Sequence, residues 1–366
     1  MKSNYDILGN HIRLIDTRNR ESITDRVLGI NIDKFFMPSV ANVIGTDLSK
    51  YKLITKGKFA CNPIHVGRDE RLPVALYDEE KPAIVSPAYF MFEVIDNSIL
   101  NEDYLMMWFR RPEFDRICWL HTDGSVRGGI TWDDICRLEL PIPPIENQLE
   151  IVNSYKAITE RIALKQKIND NLDATIYAKF QDMFQKNKEI LFSGEQLEDW
   201  CIKPLSFLAD FKYGKMATSE ILCEKGFPVY SGYRIVGYCN KYMFKEPQLV
   251  VLARGVSGTG EVRISPPCCH LTNLSIAVLL YDRTYINYLL YYLENDNLIS
   301  LDSGSAQSQI TINDLSMHKV MLPPYSKVVE FDNIAKQLRS IIDENNKEIE
   351  VLEELKKVLL TTISSR

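Results

Sequence analysis

The sequence lacks the features that mark metal-bound, disulfide-rich and membrane-spanning proteins. None of its eight cysteines belongs to a C-x-x-C pair, which argues against a zinc ribbon and a disulfide framework. No apolar run approaches the roughly 20 residues that span a bilayer, and no basic-then-apolar leader follows Met1. We therefore expect reduced thiols, no metal, no membrane contact and a cytoplasmic location.

Positive charge is also scarce. The chain has 43 Lys and Arg against 49 Asp and Glu, for a formal net charge of −6. Because the neutralisation of DNA phosphates depends on Lys and Arg, this composition is unfavourable for a protein that binds nucleic acid alone. A DNA-binding protein of this kind must concentrate its cations on one face or share the duplex with a more basic partner.

The sequence lacks complete motifs for methyl transfer, nucleotide binding and hydrolysis. Neither Ser265–Cys268 nor Leu322–Tyr325 completes the Asn/Asp-Pro-Pro-aromatic turn with which an adenine methyltransferase holds a flipped base. The glycine-rich segment Arg254–Gly260 lacks the Gly-Lys-Ser/Thr ending of a phosphate cradle, so it is either a plain turn or a loop that DNA approaches. His121–Ser125 holds the residue types of a hydrolase triad, packed too closely to imply its geometry. We predict no catalytic residue.

What the sequence does contain is an internal repeat with a step of 180 residues. Gly129–Asp134 recurs as Gln309–Asp314, and the pair Pro143-Pro144 recurs as Pro323-Pro324. Each Pro-Pro pair follows a segment of short β-type runs and turn signals, and precedes a long stretch of helical periodicity. The repeat predicts two tandem globular domains of similar α+β fold, each followed by a long helix.

The two helices are expected to pack as an antiparallel coiled coil related by a pseudo-twofold axis. The predicted segments are globular domains at 1–142 and 191–321, and spacer helices at 143–190 and 322–366. The apolar stripes comprise Ile151, Tyr155, Ile158, Ile162, Leu172 and Ile176 in the first helix, and Leu338, Ile342, Ile349, Leu352 and Leu359 in the second. A lone helix of this kind would be marginal in water, so the stripes should bury each other. Asn169 and Asn345 would help to fix the register.

Five stretches carry a likeness to a known family. They are the doubled Pro-Pro-then-helix element, Ser125–Asp134 with its partner Ser305–Asp314, Val85–Tyr89, Val229–Tyr238 and Val251–Gly258. Through them the chain resembles the DNA-specificity subunits of type I restriction-modification systems, over essentially its whole length. The resemblance implies two target-recognition domains that each read half of a split double-stranded DNA sequence. It also implies that two helices hold these domains apart as a ruler.

The resemblance implies partners as well. Methyltransferase subunits would bind S-adenosylmethionine, and restriction subunits would use ATP and magnesium, while this chain would be non-catalytic and hold no cofactor. Two other interpretations stay open. One is the specificity subunit of a type II-like (IIB/IIG) enzyme, in which one partner chain carries both methyltransferase and nuclease. The other is a coiled-coil scaffold that binds protein and never DNA, which the sequence pI of about 5.6 allows.

The residues expected to contact DNA lie in or beside the loops of the family-like stretches. They are Arg68, Ser86, Tyr89 and Arg127 in the first half, and Ser231, Tyr233, Arg234, Arg254, Ser257, Thr272 and Gln307 in the second. Arg127 and Gln307 align at the 180-residue step, and both can pair bidentately with a base edge or grip a phosphate. A solvated turn residue is the competing interpretation for both, and the tyrosines could equally belong to the core or its rim.

Overall fold

The computed structural model describes residues 5–40, 45–64, 66–122, 128–194, 197–255, 258–301 and 309–363. The chain divides into two compact units. Unit 1 comprises residues 1–165 and 347–366, and unit 2 comprises residues 166–346. Each unit mixes strands with helices, so the predicted α+β class is confirmed. The finer division at residues 142, 190 and 321 stays a prediction.

The described part of unit 1 contains ten strands, four complete helices, the first part of one long helix and, at residues 347–362, the last part of another. The strands are β1 Tyr5–Ile7, β2 Ile12–Ile15, β3 Val27–Ile30, β4 Phe36–Pro38, β5 Lys52–Ile54, β6 Lys58–Cys61, β7 Val74–Tyr77, β8 Ala83–Val85, β9 Phe90–Val94 and β10 Glu139–Pro141. The helices are α1 Val66–Asp69, α2 Glu102–Phe109, α3 Pro112–Leu120, α4 Trp132–Cys136 and the first part of α5 Ile145–Phe180. The strands form two four-stranded sheets, β2-β9-β6-β7 and β4-β3-β8-β5, and the pair β1-β10. Within the second sheet β3 and β8 run parallel.

Aromatic side chains fill the main core of unit 1. Phe59 of β6 stacks on Phe92 of β9 at 5.0 Å between ring centroids, and Phe109 of α2 meets Phe59 edge-on at 5.8 Å. Helix α2 begins where the Asn101 side chain accepts a hydrogen bond from Tyr104 N at 3.0 Å, as an N-cap residue does. Since burying one such ring contributes about 1.5–3 kcal/mol, this cluster accounts for much of the attachment of α2 to the sheet.

Unit 2 repeats this plan with its own strands and helices. The strands are β11 Cys201–Pro204, β12 Ala209–Tyr213, β13 Leu222–Cys223, β14 Phe227–Tyr230, β15 Ile235–Cys239, β16 Leu249–Leu252, β17 Val262–Ile264, β18 His270–Leu271, β19 Ser275–Leu280 and β20 Lys319–Leu322. After α5 come a π-helical turn at Gln181–Gln185, α6 Lys186–Phe192, α7 Tyr285–Asn295, α8 Ile312–Met317 and α9 Tyr325–Thr362. The sheets are β12-β19-β16-β17, β13-β15-β14-β18 and β11-β20, and β14 runs parallel to β18.

The same hydrogen bonds recur in both units. The Tyr104 hydroxyl of α2 donates to the carbonyl of Pro141 at 3.1 Å, and the Tyr288 hydroxyl of α7 donates to the carbonyl of Met321 at 2.7 Å. Each bond ties the helix after the main sheet to the short strand before the long helix. The repeat is therefore one of tertiary structure and not only of sequence.

The repeated Ile-Thr-x-x-Asp motif is a helix N-terminus in both units. Thr131 caps α4 by accepting a hydrogen bond from Asp134 N at 3.1 Å, and Thr311 caps α8 by accepting one from Asp314 N at 3.2 Å. A threonine N-cap with an acidic residue three positions later satisfies backbone donors that would otherwise lack partners. The motif thus fixes where each short helix begins.

In each unit the two long helices pack against each other in antiparallel directions. In unit 1, Val152 and Tyr155 near the start of α5 share a core with Leu359 and Ile363 near the end of the chain. Farther along α5, Arg161 Nε donates to Glu348 Oε1 at 2.6 Å. Residue numbers therefore rise in one helix as they fall in the other, as an antiparallel pair requires.

In unit 2 the second part of α5 packs against the first part of α9. Ile176 and Phe180 share a core with Phe331 and Ala335. The Phe180 and Phe331 rings lie 5.8 Å apart between centroids. Of the predicted stripe residues, Tyr155, Ile162 and Ile176 are buried, and the other eight are partly buried: Ile151, Ile158, Leu172, Leu338, Ile342, Ile349, Leu352 and Leu359.

Candidate nucleic-acid interface

Several strand ends meet at one edge of unit 2, which we call the unit 2 edge: residues 231–234, 253–255, 272–274 and 309–310. Tyr230 and Leu271 are partners in the parallel pair β14-β18, and Leu252 and Ser275 are partners in β16-β19. Four chain segments therefore lie together: those that follow β14, β16 and β18, and the one that precedes β19. This edge holds five of the seven predicted contact residues of the second half.

The turn after β14 presents exposed side chains. Ser231 N and Oγ both donate to the carbonyl of Arg234, at 2.9 and 3.2 Å, which closes the turn. Tyr233 and Arg234 are exposed, and the Arg234 guanidinium lies over the Tyr233 ring at 5.4 Å from its centroid. Ser231 itself is 4% exposed, so it shapes the turn, while Tyr233 and Arg234 are available to a partner.

Glycines allow the backbone segments of this edge to approach closely. Gly232 has a φ of +97°, and a Cβ there would lie 2.4 Å from Ser275 Oγ. A Cβ on Gly214 would lie 2.0 Å from the carbonyl oxygen of Thr272. Thr272 N donates to the carbonyl of Tyr230 at 3.0 Å, so Thr272 is held beside the turn. Sequence reasoning missed Gly214 and Gly232, although a Tyr-Ser-Gly-Tyr turn favours a left-handed glycine.

The loop after β16 meets the segment that leads into α8. Arg254 N donates to the carbonyl of Leu274 at 3.2 Å, and Arg254 and Gln309 form an isolated β-bridge. Ile310 N donates to the carbonyl of Ala253 at 2.9 Å. The exposed Arg254 side chain therefore belongs to the same edge as the turn after β14. The predicted contacts Ser257, Gln307 and Arg127 lie outside the described residues.

Unit 1 has an equivalent edge, which we call the unit 1 edge: residues 31–35, 62–64, 66–71, 86–89 and 128–130. Cys61 of β6 is the partner of Phe90 of β9, so the loop after β6 and the turn before β9 lie together. Ile130 N donates to the carbonyl of Pro63 at 3.2 Å. This bond corresponds, at the 180-residue step, to the bond from Ile310 in unit 2.

The predicted contacts of the first half lie at this edge in different environments. Arg68 is exposed, but its Nε donates to Asp69 Oδ1 at 2.6 Å, and this ion pair raises the pKa of Arg68. Ser86 Oγ accepts a hydrogen bond from Ala88 N at 3.2 Å and closes a turn. Tyr89 is half-buried and bonds the backbone of Ile30 through its hydroxyl, and its burial raises its pKa. Tyr89 is therefore partly a packing residue.

No metal site or membrane span is found in the described parts of the chain. Among residues 5–363 outside the gaps given above, no group of three or more His, Cys, Asp or Glu side chains could hold a metal ion. No described helix is both long enough and apolar enough to cross a bilayer. The described cysteines are all free thiols.

Comparison with known proteins relates the chain to one family. Residues 197–356 match the family described as the type I restriction modification DNA specificity domain. The MjaX specificity subunit, described as belonging to a type I restriction enzyme of Methanocaldococcus jannaschii, is 25% identical over 99% of this chain and 88% of its own length. The chain is similar to the DNA-specificity subunits of type I restriction-modification systems.

Two further comparisons agree with this family. The specificity subunit of the type I restriction enzyme MjaVIII from the same organism is 24% identical over 62% of this chain and 61% of its own length. The solved structure of a type I specificity subunit from M. genitalium has the same fold. It matches with a TM-score of 0.65 over 99% of this chain and 96% of its own, at 17% identity. The chain therefore shares the fold of that solved structure over 99% of its length.

The fold brings together most of the predicted contact residues that lie within the described part of the chain. Ser231, Tyr233, Arg234, Arg254 and Thr272 meet at the unit 2 edge, and Arg68, Ser86 and Tyr89 meet at the unit 1 edge. Which of these residues touch DNA stays a prediction. The structure adds backbone positions, such as Pro63 and Ala253, whose role no side-chain pattern in the sequence could indicate.

Proposed function

We propose that the chain is a type I specificity subunit that reads a bipartite DNA target without catalysing a reaction. Each unit would read one half-site through its edge, and α5 with α9 would set the gap between the half-sites. The proposal follows from the duplication: two copies of one DNA-specificity plan on one chain suit two successive stretches of one duplex. The base pairs read by each unit would be about one helical turn or slightly more apart, centre to centre.

The observation that supports this proposal most is the recurrence of the edge. Ile130 bonds Pro63 in unit 1 and Ile310 bonds Ala253 in unit 2, and both bonds draw the segment before a short helix onto the loop after a central strand. The turns beside these loops differ between the units, because Tyr233 and Arg234 are exposed in unit 2 whereas Tyr89 is half-buried in unit 1. A shared scaffold with different loops is the arrangement expected of two reading sites with different targets.

We further propose that methyltransferase subunits bind the long helices and carry S-adenosylmethionine. In unit 1, Val351, Leu355 and Val358 of α9 are 67%, 50% and 56% exposed, and their spacing of four and three residues places them on one helix face. An exposed apolar stripe of this kind is a surface that a partner helix can cover. ATP-dependent restriction subunits would join the same complex, and they would bind ATP and magnesium.

The DNA sequence that becomes methylated tests this function directly. The chain would be expressed with its methyltransferase in a host that lacks other modification systems, and methylated sites would be mapped across the genome. We expect a bipartite motif with a fixed gap. A single continuous motif would contradict the proposal. If the complex neither methylated DNA nor bound a duplex in a salt-dependent way, the protein-binding scaffold would remain as the interpretation.

A domain exchange assigns the half-sites. Replacing residues 1–142 with the first domain of another specificity subunit should change one half of the motif and leave the other half and the gap unchanged. The matched exchange of residues 191–321 should change only the other half. If either exchange altered both halves, the division of reading between the units would be wrong.

A further inference from the structure

Unit 1 contains a charged cleft of about 410 Å³ beside its edge. Three segments form its walls: the turn between β3 and β4, the loop after α1, and helix α3. Three of the residues that line it are arginines, namely Arg71, Arg110 and Arg116, and the half-exposed ring of Trp119 also lines it. Because the turn and the loop both belong to the unit 1 edge, the cleft is continuous with the surface proposed to read DNA.

A buried ion pair builds the floor of this cleft. Lys34 is 4% exposed, and its Nζ donates to Asp115 Oδ1 at 2.7 Å and to the carbonyl of Phe109. Asp115 Oδ1 also accepts a hydrogen bond from Leu72 N at 3.0 Å. The Lys34 ammonium lies 4.7 Å from the centroid of the Phe114 ring. The Lys34–Asp115 pair therefore joins all three walls, because Lys34 lies on the turn between β3 and β4, Asp115 on α3, and Leu72 on the loop after α1.

The conformation of Lys34 indicates that this arrangement is costly to form. Its φ is +68°, a left-handed value that lysine rarely adopts. Burial also lowers the pKa of Lys34, although the Asp115 carboxylate opposes that effect. Strained backbone and buried charge persist where the surroundings hold them and tend to collect at functional sites. The turn between β3 and β4 is thus held rigidly against α3.

The ion pairs within the cleft leave two arginines available. Asp115 is neutralised by Lys34, and Asp33 pairs with Arg71 at 3.0 Å. Among the described residues neither Arg110 nor Arg116 pairs with a carboxylate, and both are exposed. The Arg110 guanidinium lies over the Tyr155 ring at 5.8 Å, which orients it. Glu70 is the facing carboxylate on the lining without an ion pair in the described structure, so the available charge stays positive.

The corresponding turn of unit 2 is built differently. There Arg234 is exposed and lies over Tyr233, and in the described part of unit 2 no buried lysine ties the turn between β14 and β15 to a helix. Between α7 and α8 the described residues form a short turn at Leu298–Leu301 where unit 1 has α3. In the described structure the cleft is a feature of unit 1.

We propose that this cleft binds a backbone phosphate of the DNA duplex, with Arg116 and Arg110 as its donors. Lys34 and Asp115 are positioning residues that hold the two walls at a fixed separation. The inference rests on the proposed function, and it adds a contact that fixes the position of unit 1 on the duplex without reading sequence. Phosphate contacts position a protein on DNA, while base contacts specify the sequence.

The test is the salt dependence of duplex binding by the complex of this chain with its methyltransferase. Each phosphate contact contributes about 0.9 to the slope of log affinity against log salt. Arg116→Ala should therefore reduce the slope by about 0.9, so that raising salt from about 50 to about 200 mM weakens binding about threefold less than in the unaltered complex. Arg116→Lys keeps the charge and should restore most of the slope.

Lys81 provides a matched control. It is an exposed cation in the loop between β7 and β8, at the end of the sheet away from the unit 1 edge, and it has no carboxylate partner in the described structure. Lys81→Ala should leave the slope unchanged. All variants should methylate the same motif as the unaltered complex, because the proposed contact carries no sequence information.

Each other outcome would overturn the inference in a recognisable way. An unchanged slope in Arg116→Ala, with normal salt-dependent binding by the unaltered complex, would refute the phosphate site and leave the proposed function intact. A changed motif would make Arg116 a base contact instead. If inorganic phosphate or ATP bound the isolated chain and Arg116→Ala abolished that binding while the slope stayed the same, the phosphate would come from a free ligand and not from DNA. Failure of the unaltered complex to bind DNA would refute the proposed function itself.

Discussion

Asn345 and Asn169 face each other across the two long helices of unit 2, and Asn345 Nδ2 donates a 2.8 Å hydrogen bond to Asn169 Oδ1. Both side chains are buried, at 8% and 9% exposed. Asn169 Nδ2 donates in turn to Asn346 Oδ1 at 2.9 Å. In an otherwise apolar seam, only the register that pairs these amides satisfies their hydrogen bonds, so the pair selects one alignment of α5 against α9.

Loss of this pair should destabilise unit 2. In Asn345→Ala the buried Asn169 amide loses a partner, and we expect the free energy of unfolding to fall by about 1–3 kcal/mol. Chemical denaturation measures the change, and Asn171→Ala on the exposed side of α5 is the control. Replacing both asparagines by leucine should be neutral or stabilising, because no buried polar group would remain unpaired. Equal effects of Asn345→Ala and Asn171→Ala would contradict the role of the pair.

Gly232→Ala should disrupt the unit 2 edge. The new Cβ would lie 2.4 Å from Ser275 Oγ and the residue would keep a φ of +97°, so the turn must move at a cost of about 1–3 kcal/mol. We expect weaker duplex binding by the complex, because Tyr233 and Arg234 follow directly in the displaced turn. Gly237→Ala in β15 is the control, since no atom lies within 4 Å of its Cβ position. Similar binding by both variants would show that this turn does not contact DNA.

The stability of unit 2 should depend on pH through Asp296. Burial alone would raise the pKa of Asp296, but hydrogen bonds from His318 (3.0 Å) and Lys188 outweigh it and hold the pKa below its usual value. A lowered folded pKa means that the stabilisation is complete above the unfolded pKa of about 3.9 and is lost as pH falls through the folded value. Asp296→Asn should therefore flatten the acid side of the curve of unfolding free energy against pH. An unchanged acid limb would show that other carboxyl groups dominate it.

The sequence predicts the long helices well because their signal is local. Apolar residues spaced three and four apart extend over many turns, and α5 and α9 begin at Ile145 and Tyr325, directly after the repeated Pro-Pro pairs. The N-cap of α2 at Asn101 is equally local, since Asn is a favoured N-cap residue and two acidic residues follow it. Ala83–Val94 is rich in β-branched and aromatic residues and forms two strands, β8 and β9, with Ser-Pro-Ala-Tyr as the turn between them.

The partners of individual side chains could not be predicted, because they depend on how far one helix is shifted against the other. The 180-residue repeat aligns Asn345 with Lys165, but in the structure Asn345 bonds Asn169, while Lys165 pairs with Glu348 at 2.8 Å. The Lys34 ion pair is similarly hidden, since it joins residues 81 positions apart through a left-handed backbone. Helix α3 supplies Asp115, and in the described part of unit 2 a short turn at Leu298–Leu301 stands in its place, so the repeat did not indicate it.

The proposed spacer role makes a quantitative prediction for the gap in the DNA target. Seven residues inserted after Ile168 in α5 and seven after Asn345 in α9 would preserve the apolar seam, because a heptad restores the same face. At about 1.5 Å of rise per residue in the helix and about 3.4 Å per base pair in DNA, the gap should lengthen by about three base pairs. Methylation mapping would measure the new gap, and the two half-sites should be unchanged.

An insertion in α5 alone serves as the control for this prediction. It would move Asn169 away from Asn345 and mismatch the two stripes, so we expect lower stability and no single defined gap. The paired insertion keeps Asn169 aligned with Asn345, and only the distance between the two edges should change. If the paired insertion altered the bases read in either half-site, or left the gap unchanged, the helices would not be the element that sets the spacing.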